Sequence, residues 1–244
     1  MNKLQEHLKK FVVEQAEYRN SQEGHLKYYD CPICKNRGFI WYADNLLVGS
    51  KTCECMPKRK INRRLAESGL AYDFKRYRLD NFKNKKSYHK IMYDKAIKFI
   101  DNPTQAIYYG GQVGSGKSHI CTAISKHMIE KGYEFEYLKY ADEFITLLQQ
   151  KTDYDKAEEA IKRLKYLYNV KVLYIDDFLK SGRHLDCFTL IDSRYKNDLI
   201  TIISSEIYLE DIQDEGIRSR IYEMCHGNVI RIERDEVKNE RLKG

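Results

Sequence analysis

Apolar positions along this chain change period several times, and each change marks a new element. Residues 2–19 carry Leu4, Leu8, Phe11 and Val12 on one side, with Lys, Glu and Gln elsewhere. That spacing predicts an amphipathic helix of about four to five turns, either packed on the segment behind it or offered to a partner. Short apolar runs at 38–42 and 46–48 predict two strands turning at 43–45. Residues 56–70 predict a basic helix whose few apolar residues are Ile61, Leu65 and Leu70. Ile91, Ala96, Ile97 and Ile100 predict a helix over 87–101.

From residue 105 the pattern settles into strand–helix alternation. Runs at 105–109, 170–177, 199–205 and 229–232 predict buried strands, the second ending in two acids, and 134–140 alternates like a strand. Helical spacing falls at 119–130, 141–150 and 156–168. Strands alternating with helices predict an α/β fold, a parallel sheet covered on both faces. A boundary near residue 70 divides a small N-terminal domain, 1–70, from a larger one, 71–244.

Composition narrows the class. The apolar fraction of 42% is enough for a packed core. No run approaches the ~20 apolar residues of a membrane span, and the N-terminus shows no apolar signal segment. The chain therefore reads as cytoplasmic, with no membrane partner. Seven cysteines make an odd count, which in a reducing compartment is not a disulfide framework. Cys121, Cys187 and Cys225 read as small buried side chains. The net charge of +7 is unevenly spread, because residues 51–90 hold 13 Lys and Arg against 4 Asp and Glu. Nucleic acid, an acidic protein partner or a plain solvated linker all fit that stretch. Aromatics spaced among the basic residues of 71–82 either stack on bases or form a strap over an adenine.

The strongest local signal is Gly111-Gln-Val-Gly-Ser-Gly-Lys-Ser118, which fits G-x-x-x-x-G-K-[ST] without a mismatch. It sits between a predicted strand and a predicted helix, the context a phosphate-binding loop requires. Gly111, Gly114 and Gly116 permit backbone angles and close approach that a Cβ would block. With Ser115 they form a loop whose N–H groups face phosphates. Lys117 would reach the β- and γ-phosphates of ATP, and Ser118 would offer its hydroxyl to Mg²⁺. The apolar strand ending at Asp176 and Asp177 supplies the remaining chemistry at the sheet's carboxyl edge. Asp176 is the Mg²⁺-side acid, and Asp177 polarises the attacking water. Ser205, or Ser204 beside it, could meet the γ-phosphate or the water.

Four cysteines form a second constellation: Cys31 and Cys34, eighteen residues, then Cys53 and Cys55. Two short knuckles separated by a hairpin can bring four thiolates to a tetrahedral Zn²⁺ site. The second pair is C-x-C rather than C-x2-C, and His25 could replace one ligand. A segment this short cannot build its own core, so the site reads as structural. Near the C-terminus, Gly216-Ile-Arg-Ser-Arg-Ile-Tyr-Glu223 places Arg218 and Arg220 close together. The residues alone allow an ordinary surface pair, or a guanidinium offered to a neighbour's γ-phosphate.

The order of these parts resembles the bacterial and phage replicative helicase loaders of the DnaC/DnaI type. Those are AAA+ ATPases related to DnaA and to the transposition helper IstB. The resemblance rests on the cysteine-rich start, the basic linker, G-x-x-G-S-G-K-S, L-Y-I-D-D-F, I-I-S-S-E and R-S-R-I-Y-E. It implies an N-terminal zinc-containing domain that binds the hexameric replicative DNA helicase. It further implies an AAA+ domain that hydrolyses ATP weakly, self-associates and contacts single-stranded DNA. It puts Arg220 at the arginine-finger position, with Arg218 secondary. Two departures stand out. The position often held by Asn reads Ser204-Ser-Glu206, and the chain ends about a dozen residues after the last strand, too few for a full AAA+ lid.

Three rival readings share parts of this pattern. A small-molecule P-loop kinase needs neither the knuckles nor the basic linker. An IstB-like transposition ATPase shares the core and binds duplex DNA. An adaptor using ATP as a switch keeps the same residues with little hydrolysis.

Overall fold

Val12 and Ala16 are the buried residues of α1 (Lys3–Ser21), the first element of the computed structural model. That model describes residues 3–83, 86–180, 187–235 and 238–240. The chain forms two compact units, Met1–Glu67 and Ser68–Gly244. The apolar side expected from spacing is only partly used: Leu4 and Phe11 are 63% and 55% exposed. The C-terminal end of α1 is instead tied down by polar contacts. Asn20 donates to Trp41 O at 2.7 Å and accepts from Trp41 N at 3.0 Å, and Arg19 lies 4.6 Å over the Trp41 ring.

Trp41 belongs to β1 (Phe39–Asp44), which pairs antiparallel with β2 (Leu47–Thr52). The hairpin turns at Asn45, whose φ of 52° is tolerated by a side chain that favours the left-handed region. Next comes α2 (Cys55–Glu67).

The second unit begins with the short α3 (Asp73–Arg76) and with α4 (Ser87–Asp101). Then β3 (Ala106–Gly111), α5 (Lys117–Glu130) and β4 (Phe135–Lys139) follow. The strand expected over 134–140 stops at Lys139 because Tyr140–Phe144 winds as a π-helical turn into α6 (Ile145–Gln150). The rest runs α7 (Ala157–Asn169), β5 (Val172–Asp176), α8 (Cys187–Lys196), β6 (Ile200–Ser205), α9 (Glu215–Cys225) and β7 (Val229–Ile232). The five strands form one parallel sheet in the order β4-β5-β6-β3-β7. All residues of β3 and β6 are buried, as expected when helices cover both faces. This is the predicted α/β architecture, with β3 inside the sheet.

Helices α8 and α9 occupy segments for which apolar spacing assigns none. In α8 the inward positions are Cys187, Leu190, Ile191 and Arg194, so a cation interrupts the apolar stripe. Arg194 is fully buried. It donates to Thr201 Oγ1 and to the carbonyls of Leu167, Val170 and Ile200. Those bonds offset the desolvation of the guanidinium, whose removal would leave four acceptors short of a donor. Helix α9 is stopped at both ends by local chemistry. Asp214 caps it by accepting from Ile217 N at 2.9 Å, worth about 1 kcal/mol, and His226 closes it at φ 44°.

Candidate functional site

The loop joining β3 to α5 has the backbone its glycines permit. Gly111, Gly114 and Gly116 have φ of 114°, 70° and 93°, a region that side chains with a Cβ avoid. At Gly111 a Cβ would collide with Ile232 O and lie 2.6 Å from the Tyr208 ring. The loop is therefore sealed against β7 on one side and open on the other. Its open side forms a cavity of about 510 Å³. Gly114, Gly116, Lys117, Ser118, Asp176 and Asp177 line it. This is a cradle that a phosphate chain fits.

Lys117 Nζ donates to Gly111 O at 2.8 Å and to Gln112 O at 2.6 Å, folded back on its own loop. Ser115 also stays within the loop, donating from Oγ to Gln112 O at 2.8 Å. Across the cavity, Ser118 Oγ lies 3.3 Å from Asp176 Oδ1. Asp176 further accepts from Tyr174 OH at 2.8 Å, from Tyr137 OH at 3.2 Å and from Ser204 Oγ. Burial raises both phenols above their ordinary range, so they stay protonated and act as donors. A hydroxyl and a fixed carboxylate side by side can hold a divalent cation against phosphates.

The two serines at the end of β6 divide. Both are buried; Ser204 reaches Asp176, whereas Ser205, the first choice for meeting the γ-phosphate or the water, is turned to other partners. Its Oγ donates to Phe178 O at 2.8 Å and accepts from Ile207 N at 3.0 Å. Successive strand residues point to opposite faces, so only one of the pair can meet Asp176. Asp177 follows β5 at φ 53°, and Leu179 has φ 62°. Two such non-glycine residues in one turn store roughly 1–3 kcal/mol each. The turn is held by Phe178 N donating to Ser204 O at 2.9 Å.

Several cavity residues carry no motif. Lys180 Nζ bridges Asp177 Oδ2 at 3.1 Å and Glu206 Oε1 at 3.0 Å. Arg76, Tyr77, Asn81 and Phe82 bring the aromatic-basic stretch onto the cavity wall, where the sequence left a base-stacking surface and a strap both open. His119 locks it there through Arg78 O at 2.9 Å and Asn81 Oδ1 at 3.1 Å, with the Tyr77 ring 4.9 Å away. From the C-terminal side, Glu240 N donates to Gly114 O at 2.9 Å, and its carboxylate pairs with Lys86 at 2.6 Å.

Arg220 does not line this cavity. On α9, its Nε donates to Asp192 Oδ1 at 2.8 Å and its guanidinium lies 4.5 Å over Phe188. Arg218 lines a second cavity of about 790 Å³ with Tyr222, Glu210 and Leu209.

In the first unit, Cys31, Cys34, Cys53 and Cys55 are all buried, and their Sγ atoms lie within 4.8 Å of one another. Cys31 and Cys53 Sγ are 3.8 Å apart, Cys34 and Cys55 3.6 Å. Tetrahedral Zn–S bonds of about 2.3 Å place sulfurs ~3.8 Å apart, so the donor set fits that ion in number, softness and spacing. His25 is exposed and outside the cluster. Outer contacts orient the thiols: Gly38 N lies 3.3 Å from Cys34 Sγ, and buried Arg59 places Nε 3.4 Å from Cys55 Sγ. A cation there offsets the charge of four thiolates. Among the described residues no helix is long and apolar enough to cross a membrane.

Residues 34–235 match the family described as IstB-like ATP binding protein. Two relatives from Bacillus subtilis (strain 168) align along most of both chains. The protein YqaM is 28% identical, over 88% of this chain and 86% of its own. The phage-like element PBSX protein XkdC is 28% identical, over 91% and 90%. Among solved structures, the DnaC helicase loader superposes with a TM-score of 0.53 at 25% identity, covering 66% of this chain and 98% of its own.

Proposed function

The chain belongs to the family of IstB-like ATP-binding proteins, and from that premise we propose that it is an ATP-dependent loader of the hexameric replicative DNA helicase. The observation that carries this reading is one chain joining two sites. A phosphate loop faces Asp176 in one unit, and four clustered thiols occupy the unit before it. A kinase for a small metabolite needs only the first.

In this reading residues 1–70 form the helicase-binding domain, with Cys31, Cys34, Cys53 and Cys55 holding a structural Zn²⁺. Residues 71–244 form the AAA+ domain, without a full lid. Gly111, Gly114, Ser115, Gly116 and Lys117 cradle the phosphates of ATP. Lys117 leaves the carbonyls of Gly111 and Gln112 and turns to the β- and γ-phosphates. Ser118 and Asp176 hold Mg²⁺, which when bound neutralises phosphate charge. Asp177 orients the attacking water. Arg220 is offered to the γ-phosphate of a neighbouring copy, so hydrolysis is weak alone and rises on self-association. The basic linker and the AAA+ surface meet single-stranded DNA in the cytoplasm.

A second reading has a specific observation behind it: the family match itself names IstB-like proteins. A transposition helper would bind duplex DNA and assemble on it with ATP, without a helicase.

Light scattering on a size-exclusion column separates the two. The protein is mixed with the replicative helicase of its host, with and without ATP. A complex of helicase-hexamer mass supports the loader. No complex in either condition, together with an ATP-dependent shift of duplex DNA, supports the transposition helper.

A further inference from the structure

Lys180 has no place in the motifs discussed so far, yet it lines the nucleotide cavity and pairs there with two acids. It follows Asp177 by one turn, and its own N–H donates to Asp177 O at 3.1 Å. The two left-handed residues, Asp177 and Leu179, bend the chain so that the ammonium returns over the Asp177 carboxylate. There it sits between Asp177 Oδ2 at 3.1 Å and Glu206 Oε1 at 3.0 Å. These acids leave the ends of two neighbouring strands, β5 and β6. All three residues line the same cavity as Lys117 and Ser118.

Two properties of this bridge matter. The Lys180 side chain is 45% exposed, so it can move without opening the core. An ion pair of that exposure is weak, and a γ-phosphate carries more charge than either acid and offers several acceptor oxygens. Asp177, meanwhile, has one carboxylate oxygen occupied by the bridge. Release of the bridge would open that oxygen to a second partner such as water.

We propose that Lys180 is a γ-phosphate-sensing residue: it holds Asp177 until a triphosphate enters, then transfers to the γ-phosphate and leaves Asp177 to orient the water. The proposal rests on the reading of this cavity as an ATP site. In the reaction the water oxygen bonds to the γ-phosphorus as the bond to the bridging β-phosphate oxygen breaks. The electron pair leaves with ADP, and the water proton passes through Asp177 to the phosphate. Lys180 touches the γ-phosphate but takes no proton. With diphosphate bound it returns to Asp177 and Glu206. Glu206 is a second anchor, and its strength sets how readily the switch fires.

The test measures affinity for a fluorescent non-hydrolysable ATP analogue and for the matching ADP analogue, both with Mg²⁺. In the wild type the triphosphate binds more tightly. Lys180→Ala should lower triphosphate affinity by roughly tenfold, the worth of one charge-assisted contact, and leave diphosphate affinity unchanged. Lys180→Arg should retain the preference. Glu206→Gln should strengthen it, and that gain should vanish in the double variant with Lys180→Ala. Equal losses for both analogues in Lys180→Ala would assign the residue a structural role and overturn the proposal, as would unchanged affinity for both. A wild type that binds neither analogue would instead remove the ATP-site reading beneath it.

Discussion

Ser118 Oγ and Asp176 Oδ1 lie 3.3 Å apart although 58 residues separate them in sequence. The first sits at the start of α5, the second at the end of β5, and the parallel sheet brings both to one edge. Such a hydroxyl and carboxylate can together hold a divalent cation against phosphates. Asp176→Ala should therefore lower Mg²⁺-dependent nucleotide affinity by tenfold or more, about 1.4 kcal/mol. Titration of a fluorescent ATP analogue with and without Mg²⁺ checks this. Equal affinity of variant and wild type in Mg²⁺ would remove Asp176 from the site.

Arg220 is held by Asp192 and by the Phe188 ring, on a helix away from its own nucleotide cavity. If it acts on a neighbour, Arg220→Ala should keep nucleotide binding and lose assembly-dependent hydrolysis by about 10³-fold. The measurement is ATPase rate against protein concentration, with a melting curve to confirm the fold. A rate that rises with concentration as in the wild type would return Arg220 to a packing role.

The four-thiol cluster can be tested with a built-in probe. The chain has one tryptophan, Trp41, and it lies on β1 of the same unit. Chelation of a structural zinc, worth about 10–16 kcal/mol in small domains, should unfold that unit and shift Trp41 emission to the red. Nucleotide binding by the other unit should persist. Metal analysis that finds no zinc in purified protein would sink the assignment.

Burial pushes the imidazoles of His119 and His127 below the ordinary histidine value. The folded chain thus favours their neutral forms, and as pH falls the unfolded chain takes up protons first. Stability from these rings is complete above the unfolded value of about 6.5 and is lost as pH drops through the lower folded values. Melting temperature should fall between pH 7 and pH 5, and less steeply in His119→Gln. An identical slope in the variant would show that His119 does not contribute.

How much of this was legible beforehand follows from how local each signal is. The phosphate loop is eight consecutive residues with a fixed backbone requirement, and β5 announces Asp176 by a continuous apolar run. The four cysteines are legible because few other residues give that chemistry at that spacing. Ser204 and Ser205 could not be told apart, because β6 is buried on both faces and so carries no alternation to set its phase. Helix α8 was hidden by Arg194, a cation in an apolar stripe whose partners come from α7 and β6. Lys180 and Glu206 meet only because β5 and β6 end side by side. Contacts of that kind belong to topology, and no local window contains them.

The sheet order also sets a timetable. Strand β3 pairs with β6 through Ala106 and Thr201 and with β7 through Tyr108 and Val229. A ribosome adding ~5–20 residues per second releases β3 and then needs roughly 5–20 s more to supply the first of these partners. The hairpin around the thiols pairs Phe39 with Thr52 and waits for nothing downstream. During synthesis the N-terminal unit is therefore finished first, and the sheet that carries the phosphate loop is completed only when its last strand emerges.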